Sequence, residues 1–120
     1  MNEKTIELKE DAFDSCIASD SSNNVPVVFK KSGEIIAEFI LKPISQGELM
    51  AMEMPDRKYD LIKGLLLTII QHKIKESNGN WVEGTKMTEV QLKNLQPLIF
   101  NILSETLLRM THLLPAEEKN

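Results

Sequence analysis

The sequence predicts an α+β domain: a short N-terminal β-hairpin, or a three-stranded sheet if a leading strand joins it, packed on a C-terminal helical bundle of two long and two short helices. Three observations carry that expectation. Two segments between residues 25 and 42 are rich in Val, Ile and Phe and are separated by Lys31-Ser32-Gly33. Two long apolar runs, 57 to 76 and 97 to 114, repeat with helical spacing. A hydrophobic share of 42% in 120 residues supplies one folded core, and with aromatics at only 5% that core is aliphatic. The expected organisation is an acidic, partly flexible segment over residues 1 to 24, a single domain over 25 to 115 and a charged tail over 116 to 120.

Taken in order, Thr5 to Lys9 alternates Ile6 and Leu8 with Glu7 and Lys9, a strand-like start. Glu10 to Asn24 has no sustained period and ends in Ser-Asp-Ser-Ser-Asn-Asn, so it reads as a mobile connection with room for one helical turn near Phe13 to Ala18. Val25 to Lys30 and Glu34 to Lys42 form the hairpin, with Gly33 supplying the positive φ of the reversal. In the second arm Ile35, Ala37, Phe39 and Leu41 share one uniformly apolar face and are assigned to the core, while Glu38 and Lys42 point toward water. Pro26 cannot donate to a ladder and places the first arm at an edge.

Pro43 stops the strand. Ser45-Gln46-Gly47-Glu48 has the form of a capping box, so a short helix begins there and carries Glu48 to Met54 before Pro55. Asp56 is read as the cap of the first long helix, which runs to about Ser77 and stops at Asn78-Gly79. On it Tyr59, Ile62, Leu66, Ile69, Ile70 and Ile74 gather on one side, and Arg57, Asp60, Thr68, Gln71 and Lys75 leave only a narrow polar strip. Trp81 to Lys86 suits a turn or a short two-stranded ribbon. Thr88-Glu89-Val90-Gln91 is a second capping box for a short helix to about Leu95, and Pro97 suits the first position of the last helix. There Ile99, Ile102, Leu103, Leu107, Met110, Leu113 and Leu114 form the apolar face, and Glu105 and Arg109 are spaced for a surface ion pair worth about 0.3 to 0.5 kcal/mol.

Charge and composition exclude several classes of function. The net charge of −4 lies wholly in residues 1 to 20, which hold six acidic residues against two lysines. With no basic cluster and a pI near 5.2, the chain has no footprint for phosphate backbones, and no nucleic acid is expected. Cys16 is the sole cysteine, which rules out an intramolecular disulfide and suits a reducing cytoplasm. The first sixteen residues are acidic where a signal peptide is basic and then apolar. Neither long run spans a bilayer, because Lys63 interrupts one and Asn101, Glu105 and Arg109 the other, so a soluble protein without membrane partners is expected.

Residues able to do chemistry are sparse. His72 falls on the shoulder of the first long run and His112 on the polar side of the last, neither beside a second ligand at metal spacing. Cys16 sits near Asp14 and Asp20, which disfavour a thiolate. Gly79 to Gly84 lacks the lysine and hydroxyl of a phosphate-binding loop. The expectation is a protein that is not an enzyme and holds no cofactor or metal. Two features suggest binding instead. Met50, Met52 and Met54 put three polarizable side chains into five residues, a surface that adapts to varied partners or, more plainly, one that fills irregular gaps in the core. Leu98 and Leu108 fall on the polar side of the last helix, as a contact patch or as ordinary exposed leucines.

The stretch Gly33-Glu34-Ile35-Ile36-Ala37-Glu38-Phe39-Ile40-Leu41-Lys42-Pro43-Ile44-Ser45-Gln46-Gly47-Glu48-Leu49 resembles the strand and Pro/Gly turn of small tail assembly chaperones of tailed phages and prophages. A helix-rich half follows, interrupted by Asn78-Gly79-Asn80-Trp81 and Met87-Thr88-Glu89, as in that family. The resemblance covers residues 33 onward. It implies a non-enzymatic protein of the host cytoplasm that binds the tape measure protein, keeps it soluble and helps recruit tail tube subunits. Family residues are not fixed in position, so none is carried over. Two other readings stand beside it: a small virion or baseplate component, and an acidic adaptor that binds through residues 1 to 24. Self-association into a homo-oligomer stays open.

Overall fold

The computed structural model describes residues 17 to 111 except 19 and 57. The expected strand at Thr5 to Lys9, Cys16, His112 and the tail lie outside the described residues, as does most of the expected turn at Phe13 to Ala18. At the start, a 3₁₀ turn over Ser21–Asn23 is capped by Asp20, whose carboxylate accepts from the Ser22 amide at 3.0 Å. The Asn23 side chain is buried and donates to the Ile17 carbonyl at 3.0 Å.

The hairpin forms where the sequence places it, as β1 (Val25–Lys31) and β2 (Glu34–Leu41). Its two loop residues, Ser32 and Gly33, both have positive φ, at 55° and 82°, the backbone of a tight reversal that follows the twist of the strands. Ala37, Phe39 and Leu41 are buried as expected, and the Phe29 and Phe39 rings meet edge to face at 5.8 Å. Ile35 is not: it is 39% exposed. The ladder slips between the Phe29 and Lys30 pairings, leaving Ile36 without a partner, so alternation counted from Leu41 fails beyond Ala37. Lys42 does not simply face water either, since its ammonium closes on both Glu48 carboxylate oxygens at 2.7 and 2.8 Å.

Ser45 caps α1 (Gln46–Met52) with the expected reciprocal pair: the Glu48 amide donates to the Ser45 hydroxyl at 3.2 Å and the Ser45 amide to the Glu48 carboxylate at 3.0 Å. The helix ends at Met52, two residues before the expected end, because Glu53 turns extended and pairs with Tyr59. The next helix is capped by Asp60 rather than Asp56, through the Lys63 amide at 3.1 Å.

Residues 57 to 77 are not one helix: α2 spans Leu61–Thr68 only, and the chain continues as β3 (Ile69–Lys75). With β4 (Trp81–Gly84) it makes a second hairpin around Asn78-Gly79, where Gly79 has φ 88°. The physical reason is partnership. Isoleucine-rich residues 69 to 75 fit a pleated surface, and β3 hydrogen-bonds on both sides, to β2 and to β4. Thr68, assigned to the polar strip, is fully buried and its hydroxyl donates to the Gly64 carbonyl at 2.9 Å.

Thr88 caps α3 (Glu89–Lys93) through the second capping box, and Pro97 opens α4 (Pro97–Thr111), both as expected. The α+β class therefore stands. In place of a hairpin on two long and two short helices, however, the protein has a four-stranded antiparallel sheet in the order β1-β2-β3-β4, with one long helix and three short ones. Two of the helices are inserted between β2 and β3 and two follow β4. Met52, Leu65, Leu92, Leu103 and Leu107 from the helices join one core with Ala37, Phe39, Leu41 and Ile69 from the sheet. That core covers one face of the sheet. Both edges are blunted, by Pro26 and Lys31 on β1 and by the four-residue length of β4.

Candidate functional site

The five residues singled out as contacts do not form one surface. Met52 is 1% exposed and packs against α2, at the one place where a side chain on Gly64 would collide with it. Met50 on α1 and Met54 beyond its end stay exposed. The methionine cluster thus divides: its middle member fills the core and its outer two meet water. Leu98 is 70% exposed while Leu108 is half-buried. They stand ten positions apart on the helix, about 15 Å along the axis and roughly 80° around it, so they belong to different patches.

A residue the sequence reading passed over is Val90. It lies 68% exposed in the first turn of α3, a position that the capping box fixes and no neighbour covers. Beside that turn an open cleft of about 370 Å³ is lined by Asp60, Ile62, Lys63, Leu66 and Glu89. The floor is Ile62 and Leu66, one turn apart on α2. Its charged rim is already engaged in holding the helices: Asp60 accepts from the Lys63 amide, and Glu89 pairs with Lys93 at 2.8 Å. The cleft offers apolar contact more than chemistry.

His72 is the one described histidine, and β3 rather than a helix positions it. It is buried, with Nδ1 3.0 Å from the Thr85 carbonyl oxygen and its ring against Gly84. Among the described residues no three His, Cys, Asp or Glu side chains come together to hold a metal ion, and no helix is long and apolar enough to cross a membrane. The Glu48 carboxylate has a displaced proton affinity. Partial burial pushes it upward, but the Lys42 ammonium and the Ser45 amide and hydroxyl outweigh that and hold it below the ordinary glutamate range. Its partners are those of a helix cap, and that role accounts for the shift. On the helical side the exposed apolar side chains are Met50, Met54, Val90 and Leu98.

No protein-family model, no curated protein and no solved structure matches this chain.

Proposed function

We propose that the protein is a tail assembly chaperone, a non-enzymatic host-cytoplasmic protein that binds the tape measure protein, keeps it soluble and helps recruit tail tube subunits. The observation that carries this reading is the water-facing apolar set on the helices: Leu98 at 70%, Val90 at 68% and Met50 at 62% exposure. A long helical client presents apolar stripes until it is sheathed, and helices with uncovered Leu, Val and Met side chains can pack on such stripes. Binding of this kind needs no reacting group, and methionine adapts to stripes of different spacing. The resemblance of residues 33 to 49 to the chaperone family supports the same conclusion.

Co-expression with the tape measure protein tests it. The soluble fraction of that partner rises and the two co-purify; Leu98→Asp combined with Val90→Asp removes most of the gain while leaving the far-UV circular dichroism unchanged. An unaltered soluble fraction together with no co-purification sinks the proposal.

A further inference from the structure

We infer that the uncovered face of the sheet is a self-association surface whose occupant is a second copy of this chain. The register sets a straight row across all four strands on that face, Val28, Glu38, Lys73 and Glu83, with Pro26, Ile40 and Gln71 in the next row. Beyond the first row Lys75 stands opposite Trp81, and Lys73 Nζ reaches to 4.9 Å from the Trp81 ring centroid. These residues alternate with Ala37, Phe39 and Ile74, which turn to the core side. Val28 stays 46% and Trp81 38% exposed, so no described element covers them.

The chemistry of this face matches itself. Glu34, Glu38 and Glu83 balance Lys30, Lys73 and Lys75 around this face, Glu34 lying 4.0 Å from Lys75, so the face has no net charge to repel a copy, and its apolar members are Pro26, Val28, Ile40 and Trp81. A two-fold axis parallel to the strands and between β2 and β3 lays Glu38 of each copy against Lys73 of the other, the reciprocal pairing that an isologous interface requires. Edge-to-edge growth is closed by Pro26, Lys31 and the short β4, which leaves face-to-face stacking as the route by which two sheets meet. Four strands spaced about 4.8 Å apart, with about 3.3 Å per residue, give a face of about 400 Å². That is half of the roughly 800 Å² each partner gives to a standard interface, so the dimer is concentration-dependent and not obligate.

Sedimentation equilibrium across a wide range of protein concentration reads the association directly. The wild-type chain passes from monomer to dimer as concentration rises. The same axis lays Val28 of each copy against Glu83 of the other, so Val28→Glu sets like charges together and weakens the dimer at least about tenfold with unchanged circular dichroism, a loss of roughly 1.4 kcal/mol. Glu38→Lys weakens it as well, and adding Lys73→Glu to Glu38→Lys restores it. If Val28→Glu does not fold, Glu38→Gln serves as the weakening variant. A monomer at every concentration overturns the inference, and so does a dimer indifferent to these substitutions. None of these results bears on the helical side, so this inference and the proposed function fail separately.

Discussion

The Nδ1 nitrogen of His72 lies 3.0 Å from the carbonyl oxygen of Thr85, joining β3 to the segment that follows β4. A carbonyl only accepts, so Nδ1 carries the proton and the tautomer is fixed. His72→Leu leaves the Thr85 carbonyl without this donor and lowers stability by about 1 kcal/mol. Urea denaturation measures the loss, and ¹⁵N resonances of the ring report the tautomer in the unaltered protein. A ring protonated on Nε2 alone contradicts the assignment.

Gly64 is where α1, α2 and α4 approach one another. A side chain there meets Met52 Sδ at 3.0 Å and Leu107 Cδ2 at 2.8 Å, and both neighbours are fully buried. Replacing a helix-interior glycine by alanine ordinarily gains up to about 1 kcal/mol. Here overpacking of about 1 to 3 kcal/mol opposes it and wins. Gly64→Ala therefore lowers the thermal midpoint, and pairing it with Met52→Ala recovers part of the Gly64→Ala penalty in a double-mutant cycle. A raised midpoint in the single variant shows that the core has room to spare.

Glu48 binds its proton less readily in the folded chain than its ordinary value of 4.5 implies. A carboxylate lowered in this way holds fewer protons folded than unfolded, so its contribution is present above that value and is lost as pH falls through the folded value. Glu48→Gln keeps a capping acceptor, as Gln91 provides in the second box, but loses the charge-assisted bond to Lys42 and so removes about 1 kcal/mol at pH 7. In acid the wild-type chain loses this advantage and the two proteins converge. Denaturation midpoints compared from neutral pH down past 4.5 check the sign, and a gap constant with pH refutes it.

The Ser104 hydroxyl is buried in α4 with no hydrogen-bond partner among the described residues. An unpaired buried hydroxyl costs free energy that a methyl group does not. Ser104→Ala accordingly stabilises the protein by about 1 kcal/mol, read as a higher denaturation midpoint. A loss of similar size instead shows that the hydroxyl finds a partner in solution.

The sequence by itself determined the features that close within a few residues. The Ser32-Gly33 reversal, the Ser45 and Thr88 capping boxes and the Pro97 helix start all satisfy their own backbone groups locally, so residue type and spacing were sufficient. The alternation of Ala37, Phe39 and Leu41 was legible for the same reason, and became unreliable at Ile35 only because a bulge in the ladder broke the count. A second signal was present and went unused: Gln71, Lys73 and Lys75 alternate with His72 and Ile74, and Asn78-Gly79 followed by Trp81-Val82 is hairpin chemistry.

Only the tertiary structure decided that residues 69 to 75 are a strand. A run rich in isoleucine satisfies both the helical and the strand period, and the choice depends on hydrogen bonds from β2, some thirty residues earlier. The same holds for the contact residues. Spacing brought Met50, Met52 and Met54 together, but the close approach of Gly64 draws Met52 into the core and leaves the other two outside. Burial is a property of the partners a side chain meets, and those partners come from distant parts of the chain.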